Sequence, residues 1–103
     1  MKQIDRIREM EACLDMTAAA VGALSKALEQ YEAAQKSYKK LSDYYGSGRW
    51  MKDYEADEAG KLPKNLKRGV LSEDAVYDLI TENHALRIRM MKLLTQAMEQ
   101  NLL

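Results

Sequence analysis

Seam positions recur at alternating spacings of three and four through the first half of the chain. Ile7, Met10, Leu14, Thr17, Val21, Leu24, Leu28, Tyr31, Gln35 and Tyr38 follow this rhythm. It is the period of a helix that keeps one side against a neighbouring helix. A first helix over residues 3–45 is therefore expected. Its alanines (Ala18, Ala19, Ala20, Ala23, Ala27, Ala33 and Ala34) are strong helix formers. Gly22 is the weak point, where a bend is expected. Small residues at Cys13, Ala20, Ala27 and Ala34, with Leu41, flank the seam and widen its apolar stripe. A wide stripe suits a bundle with more than one neighbour. Gly46-Ser47-Gly48 should end the helix, with glycine supplying a left-handed cap.

A short second helix is expected over 49–59, with Ser47 or Gly48 near its N-cap. Trp50, Met51 and Tyr54 give it one apolar face, and Gly60 stops it. Residues 60–71 read as an ordered loop, because Pro63 turns Leu62 away from helix. Ser72 is a good N-cap for a third helix over 73–100, and Glu73 and Asp74 put negative charge on its first turn. Leu71 and Val76 match a hydrophobic staple. The third seam runs Val76, Leu79, Asn83, Leu86, Met90, Leu93 and Ala97. A second apolar face holds Ile80, Ile88, Met91, Leu94, Met98 and Leu102. Asn83 either sets helix register, as single buried asparagines do in coiled coils, or faces water.

The fold class is all-α: a helical bundle built on two long antiparallel helices, a short middle helix and an ordered Pro-containing loop, in one domain. Length adds a constraint. The first helix would extend about 60 Å and the third about 40 Å. A domain of 103 residues has a radius of gyration of about 13 Å. Either the first helix bends or a second molecule covers part of its seam. Two apolar faces on the third helix point the same way, so a homodimer is expected.

Composition narrows the function classes. Lys plus Arg and Asp plus Glu number 16 each, so no net field draws in nucleic acid or an anionic membrane. One cysteine, Cys13, excludes an internal disulfide framework and a multi-cysteine zinc site. Its place beside the seam reads as a small buried thiol. The charged, periodic N-terminal residues lack the apolar core of a signal peptide, and no apolar run is long enough to span a bilayer. A cytoplasmic location is the default.

Candidate chemistry is sparse, and no cofactor is implied. Glu55 and Glu58 form an E-x-x-E pair, the kind that all-α nucleotide pyrophosphatases use to hold Mg²⁺ beside a second E-x-x-D pair. That second pair is missing. Asp74 and Asp78, with Glu82, are the stand-ins for it. The plainer reading is a solvated acidic face. His84 is the single histidine and lacks the Glu-x-x-His spacing of di-iron bundles. Lys61, Lys64, Lys67 and Arg68 make a basic loop, for which pairing with the neighbouring acidic run is simpler than nucleic-acid contact. Tyr31, Tyr38 and Tyr45 repeat every seven residues. They read either as a ligand- or partner-facing strip or as packing against Trp50, Tyr54 and Tyr77.

From Trp50 to Leu79 the chain reads W-x-x-D-Y-E-A-D-E-A-G-x-L-P-x-x-L-K-R-G-V-L-S-E-D-A-V-Y-D-L. This stretch, with the amphipathic N-terminal helix, resembles a bacterial family catalogued as domain of unknown function 4298. The segment from Leu66 to Asp74, with Tyr77-Asp78-Leu79, is its most specific part. The resemblance implies a small all-α protein and assigns no activity. Trp50, Asp53, Glu58, Leu62, Pro63, Arg68, Ser72, Asp74 and Tyr77 are its motif positions. Their plain role is to lock the loop onto the helices through capping, aromatic packing and ion pairs. The function expected is a non-enzymatic, self-associating helical interaction module, with a Mg²⁺-dependent hydrolase as the alternative.

Overall fold

The alanine-rich heptads of the first half form one unbroken helix, α1 (Lys2–Tyr45), which runs through Gly22 without interruption. It is followed by α2 (Gly48–Glu58), a 3₁₀ turn (Gly69–Leu71) and α3 (Ala75–Glu99). The computed structural model describes residues 2–100, and within them the fold is all-α, with two long helices and a short middle one. By internal packing the chain divides between Tyr38 and Lys39.

The first unit consists of α1 up to Tyr38. No residue of α1 is buried. Ile7, Met10, Leu14, Val21, Leu24 and Leu28 are 42–62% exposed. Half-burial begins at Tyr31 and recurs at Gln35 and Tyr38. There the Gln35 Nε2 donates to the Tyr31 carbonyl at 3.1 Å, one turn back. Cys13 is exposed, not buried as its place beside the seam suggested. Burial needs a neighbour over that part of the helix, and the spacing of residues supplies none.

In the second unit, the corner between α1 and α2 is made by serine. The Ser47 hydroxyl donates to the Tyr44 carbonyl at 2.7 Å and accepts from the Arg49 N–H at 3.3 Å. It thus caps the end of one helix and the start of the next. Its backbone is extended (φ −95°, ψ 162°), which turns the chain with no left-handed residue. The left-handed cap expected at Gly46–Gly48 does not form. Gly60 (φ +70°) adopts that conformation instead. There the Lys61 N–H reaches the Ala56 carbonyl and the Gly60 N–H reaches that of Asp57, both at 3.0 Å. This is the Schellman pattern that ends a helix on glycine.

The loop then turns at Pro63, whose carbonyl accepts from the Leu66 N–H at 3.2 Å. It re-enters helix through the 3₁₀ turn. The Ser72 hydroxyl accepts from the Ala75 N–H at 3.2 Å and so caps the turn that leads into α3, whose own N-cap position is Asp74. Trp50, Leu71 and Val76 form the buried core, at 3–8% exposure. They come from α2, the 3₁₀ turn and α3, and each contributes about 1.5–3 kcal/mol by leaving water. Asn83 is buried, not water-facing, and its polar atoms are satisfied.

The third seam is buried only at Val76 and Asn83; Leu79 between them is 45% exposed. Leu86, Met90 and Leu93 are exposed, as are Ile88, Met91, Leu94 and Met98 on the second face. Ile80 and Ala97 are half-buried, and Leu102 lies outside the described residues. Among the described residues no helix is long and apolar enough to cross a membrane.

Candidate functional site

The polar contacts of the second unit concentrate on the loop between α2 and α3. Trp50 anchors them. Its ring stacks on Tyr54 (centroids 5.2 Å apart, planes 17° apart) and meets Tyr45 edge-on at 5.1 Å. Its Nε1 donates to the Val70 carbonyl at 2.9 Å. Helical spacing brings Trp50 and Tyr54 onto one face of α2. Met51, expected on that face, is half exposed. With Trp50 at the centre of the buried arc, Met51 lies about 100° round the helix from it.

Arg68 ties the loop to α2. Its guanidinium donates to the Asp57 carboxylate and to the Pro63 and Leu66 carbonyls. Three acceptors from one fork suit arginine and not lysine. Two tyrosines close the sides. The Tyr44 hydroxyl donates to Asp53 at 2.6 Å, and the Tyr54 hydroxyl donates to Glu73 at 2.8 Å. Desolvation, followed by the Asp53 hydrogen bond, pushes the Tyr44 phenol up to about 12. The hydrogen bond to Glu73, followed by desolvation, pushes Tyr54 up to about 12 as well.

A cleft of about 290 Å³ lies beside this network, lined by Tyr44, Asp53, Leu62, Leu66, Lys67, Val70 and Leu71. Lys67 has no ion-pair partner among the described residues. The cleft is thus lined by four aliphatic side chains together with Tyr44, Asp53 and Lys67. Its size is at the lower end of what holds a small ligand.

The residues singled out from sequence are distributed unevenly over this site. Trp50, Tyr54 and Arg68 meet in the loop network, and Lys67 lines the adjacent cleft. Tyr77 is 60% exposed and takes no part in the Trp50–Tyr54 stack. Tyr31 and Tyr38 belong to the first unit and are half-buried there. Glu55, Glu58, Asp74 and Asp78 are all exposed. Among the described residues no three His, Cys, Asp or Glu side chains gather where a metal ion would be held.

The expected pairing of the basic loop with the acidic run is seen at Arg68 and Asp57, but three individual acceptors were not singled out from the sequence. Asp57, Asp53 and Glu73 read as members of an acidic run or a helix first turn. Each proves to be the acceptor for one specific donor. For Asp57 the signal is its position before Gly60 and Leu62-Pro63, with Arg68 just beyond. A tight cap and a proline turn fold the chain back on itself and bring those charges together.

Neither the curated proteins nor the solved structures hold a match to this chain. The pattern of one protein family does match it, over residues 7–93, from the first seam isoleucine to Leu93 in α3. The chain belongs to that family, described as a domain of unknown function (DUF4298).

Proposed function

We propose that this chain is a non-enzymatic, self-associating helical interaction module. One observation carries the reading: the apolar seam of α1 from Ile7 to Leu28 is open to solvent, with its six large residues 42–62% exposed. Single exposed leucines are ordinary, but a continuous heptad row of them marks an association surface. The network around Trp50 and Arg68 then has a supporting role. It folds α2 and the loop onto the start of α3. A bacterial, cytoplasmic setting belongs to the same proposal: the bacterial part rests on the sequence resemblance, and a single unpaired cysteine suits a reducing compartment.

The direct test replaces Leu14 and Leu24 together with glutamate and measures molar mass by light scattering. The wild-type chain should exceed the mass of one copy, and the double variant should fall to it. Near-ultraviolet circular dichroism of Trp50 should be the same in both, since the second unit is untouched. An unchanged mass in the variant would remove the α1 seam as the association surface. The Mg²⁺-dependent alternative has no comparable observation behind it, because Glu55, Glu58, Asp74 and Asp78 are not drawn together. A hydrolysis panel over nucleotides with Mg²⁺ or Mn²⁺ tests it independently.

A further inference from the structure

The open seam of α1 is complementary in charge to a second copy of itself in one alignment. Arg6 lies just before Ile7 on one edge of the seam, and Glu11 just after Met10 on the other. Neither has an ion-pair partner among the described residues. In a parallel, in-register pair of helices, a residue on the first edge faces the partner residue five positions on, across the seam. Arg6 then meets the partner's Glu11, and symmetry makes the contact twice.

Antiparallel pairing brings like edges together and loses this match. The register that stacks Ile7 on the partner's Leu24 sets Arg6 opposite the partner's Ala27 and Glu11 opposite the partner's Ala18. Slipping it by one heptad sets Glu11 against the partner's Glu11, a like-charge contact. The open faces of α3 are poorer candidates for self-pairing. From Asn83 to Met98 that helix carries Arg87, Arg89 and Lys92 and no Asp or Glu.

Area supports a second copy as the occupant. Six large seam residues, each hiding roughly 100 Å², give roughly 600 Å² per copy and 1,200 Å² in total. That is the lower end of what stable complexes bury. We infer that a second copy of this chain covers the α1 seam as a parallel, in-register two-helix coil over residues 7–28, with Arg6 paired to the partner's Glu11. This rests on the self-association proposed above.

The test uses the full-length chain with Cys13→Ser as background, adding Leu24→Cys and oxidising at the concentration where light scattering reads two copies. The parallel pair places the two introduced cysteines side by side, so most of the protein should run as a disulfide-linked dimer. A mixture of Ile7→Cys and Leu24→Cys chains should give linked chains of like kind only. Charge exchange provides a second arm. Arg6→Glu should raise the dimer dissociation constant about three- to tenfold, as two exposed pairs are lost. Adding Glu11→Arg should restore it. A dimeric mass with linkage only between Ile7→Cys and Leu24→Cys chains, or no rescue by the double exchange, would overturn the parallel alignment while leaving self-association standing. A single-copy mass at every concentration would overturn both.

Discussion

The Trp50 indole donates its one N–H to the Val70 carbonyl, 20 residues on, at 2.9 Å. This bond and the burial of the ring fasten α2 to the segment that leads into α3. Trp50→Phe keeps an aromatic ring for Tyr54 and Tyr45 and deletes the donor. It should destabilise the second unit by about 1–2 kcal/mol, since the Val70 carbonyl can partly recover a water. Trp50→Ala should cost about 3–5 kcal/mol through the cavity it leaves. Urea unfolding followed by far-ultraviolet circular dichroism reads both.

Arg68 and Asp57 should prove coupled. Their side chains are 31% and 19% exposed, so solvent screens the pair only in part. A double-mutant cycle with Arg68→Met and Asp57→Asn should return a coupling of about 1 kcal/mol. Arg68→Lys should behave nearly as badly as Arg68→Met, because an ammonium cannot reach Asp57, Pro63 and Leu66 in one geometry. Equal stability of the lysine variant and the wild type would show that charge alone suffices.

Alkaline stability depends on Tyr44 and Tyr54. Both phenols are held near 12 in the folded chain, against an ordinary value of 10.0. The native state therefore keeps these protons more tightly than the unfolded chain. The stabilisation is complete below pH 10 and is lost as pH rises from 10 to 12. Urea midpoints should fall over that window. The Tyr44→Phe/Tyr54→Phe double variant should show a flatter profile, and tyrosinate absorbance in the wild type should show a late-titrating fraction that the variant lacks.

Two glycines should respond to alanine in opposite directions. Gly22 lies within α1, on the far side from the seam, and a Cβ there meets nothing within 4 Å. Gly22→Ala should therefore stabilise the helix by roughly 0.5–1 kcal/mol. Gly60 also has open space around it, but its φ of +70° penalises any side chain. Gly60→Ala should destabilise by about 1–2 kcal/mol. Thermal melts of the two variants separate backbone conformation from crowding.

What could be read from the sequence was local or periodic. The Ser72 cap, the stop at Gly60 and the three-four rhythm of α1 depend on residues within a turn or two of each other. That the basic loop pairs with the acidic run could be read from their adjacency, but which partners meet, Asp57 with Arg68 and Tyr54 with Glu73, depends on the path of the loop. Periodicity also tells which residues share a face but not how much of that face is covered. Hence Leu79, Leu86, Met90 and Leu93 share the α3 seam with Val76 and Asn83, yet only those two of the seam are buried. Tyr77 is exposed on α3 in the same way, whereas Met51 lies round the helix from the buried face of α2. At the corner Ser47 is the N-cap of α2, one of the two positions expected for it, but the left-handed glycine cap expected to end α1 is absent, because a serine with an extended backbone turns the chain by capping both helices.

In the proposed function the exposed α1 seam is an interface with a second copy of the chain. Light scattering of the wild-type protein across a dilution series tests it most directly. A self-associating chain should show the mass of two copies at high concentration, falling towards one on dilution. The mass of one copy throughout the series would contradict it.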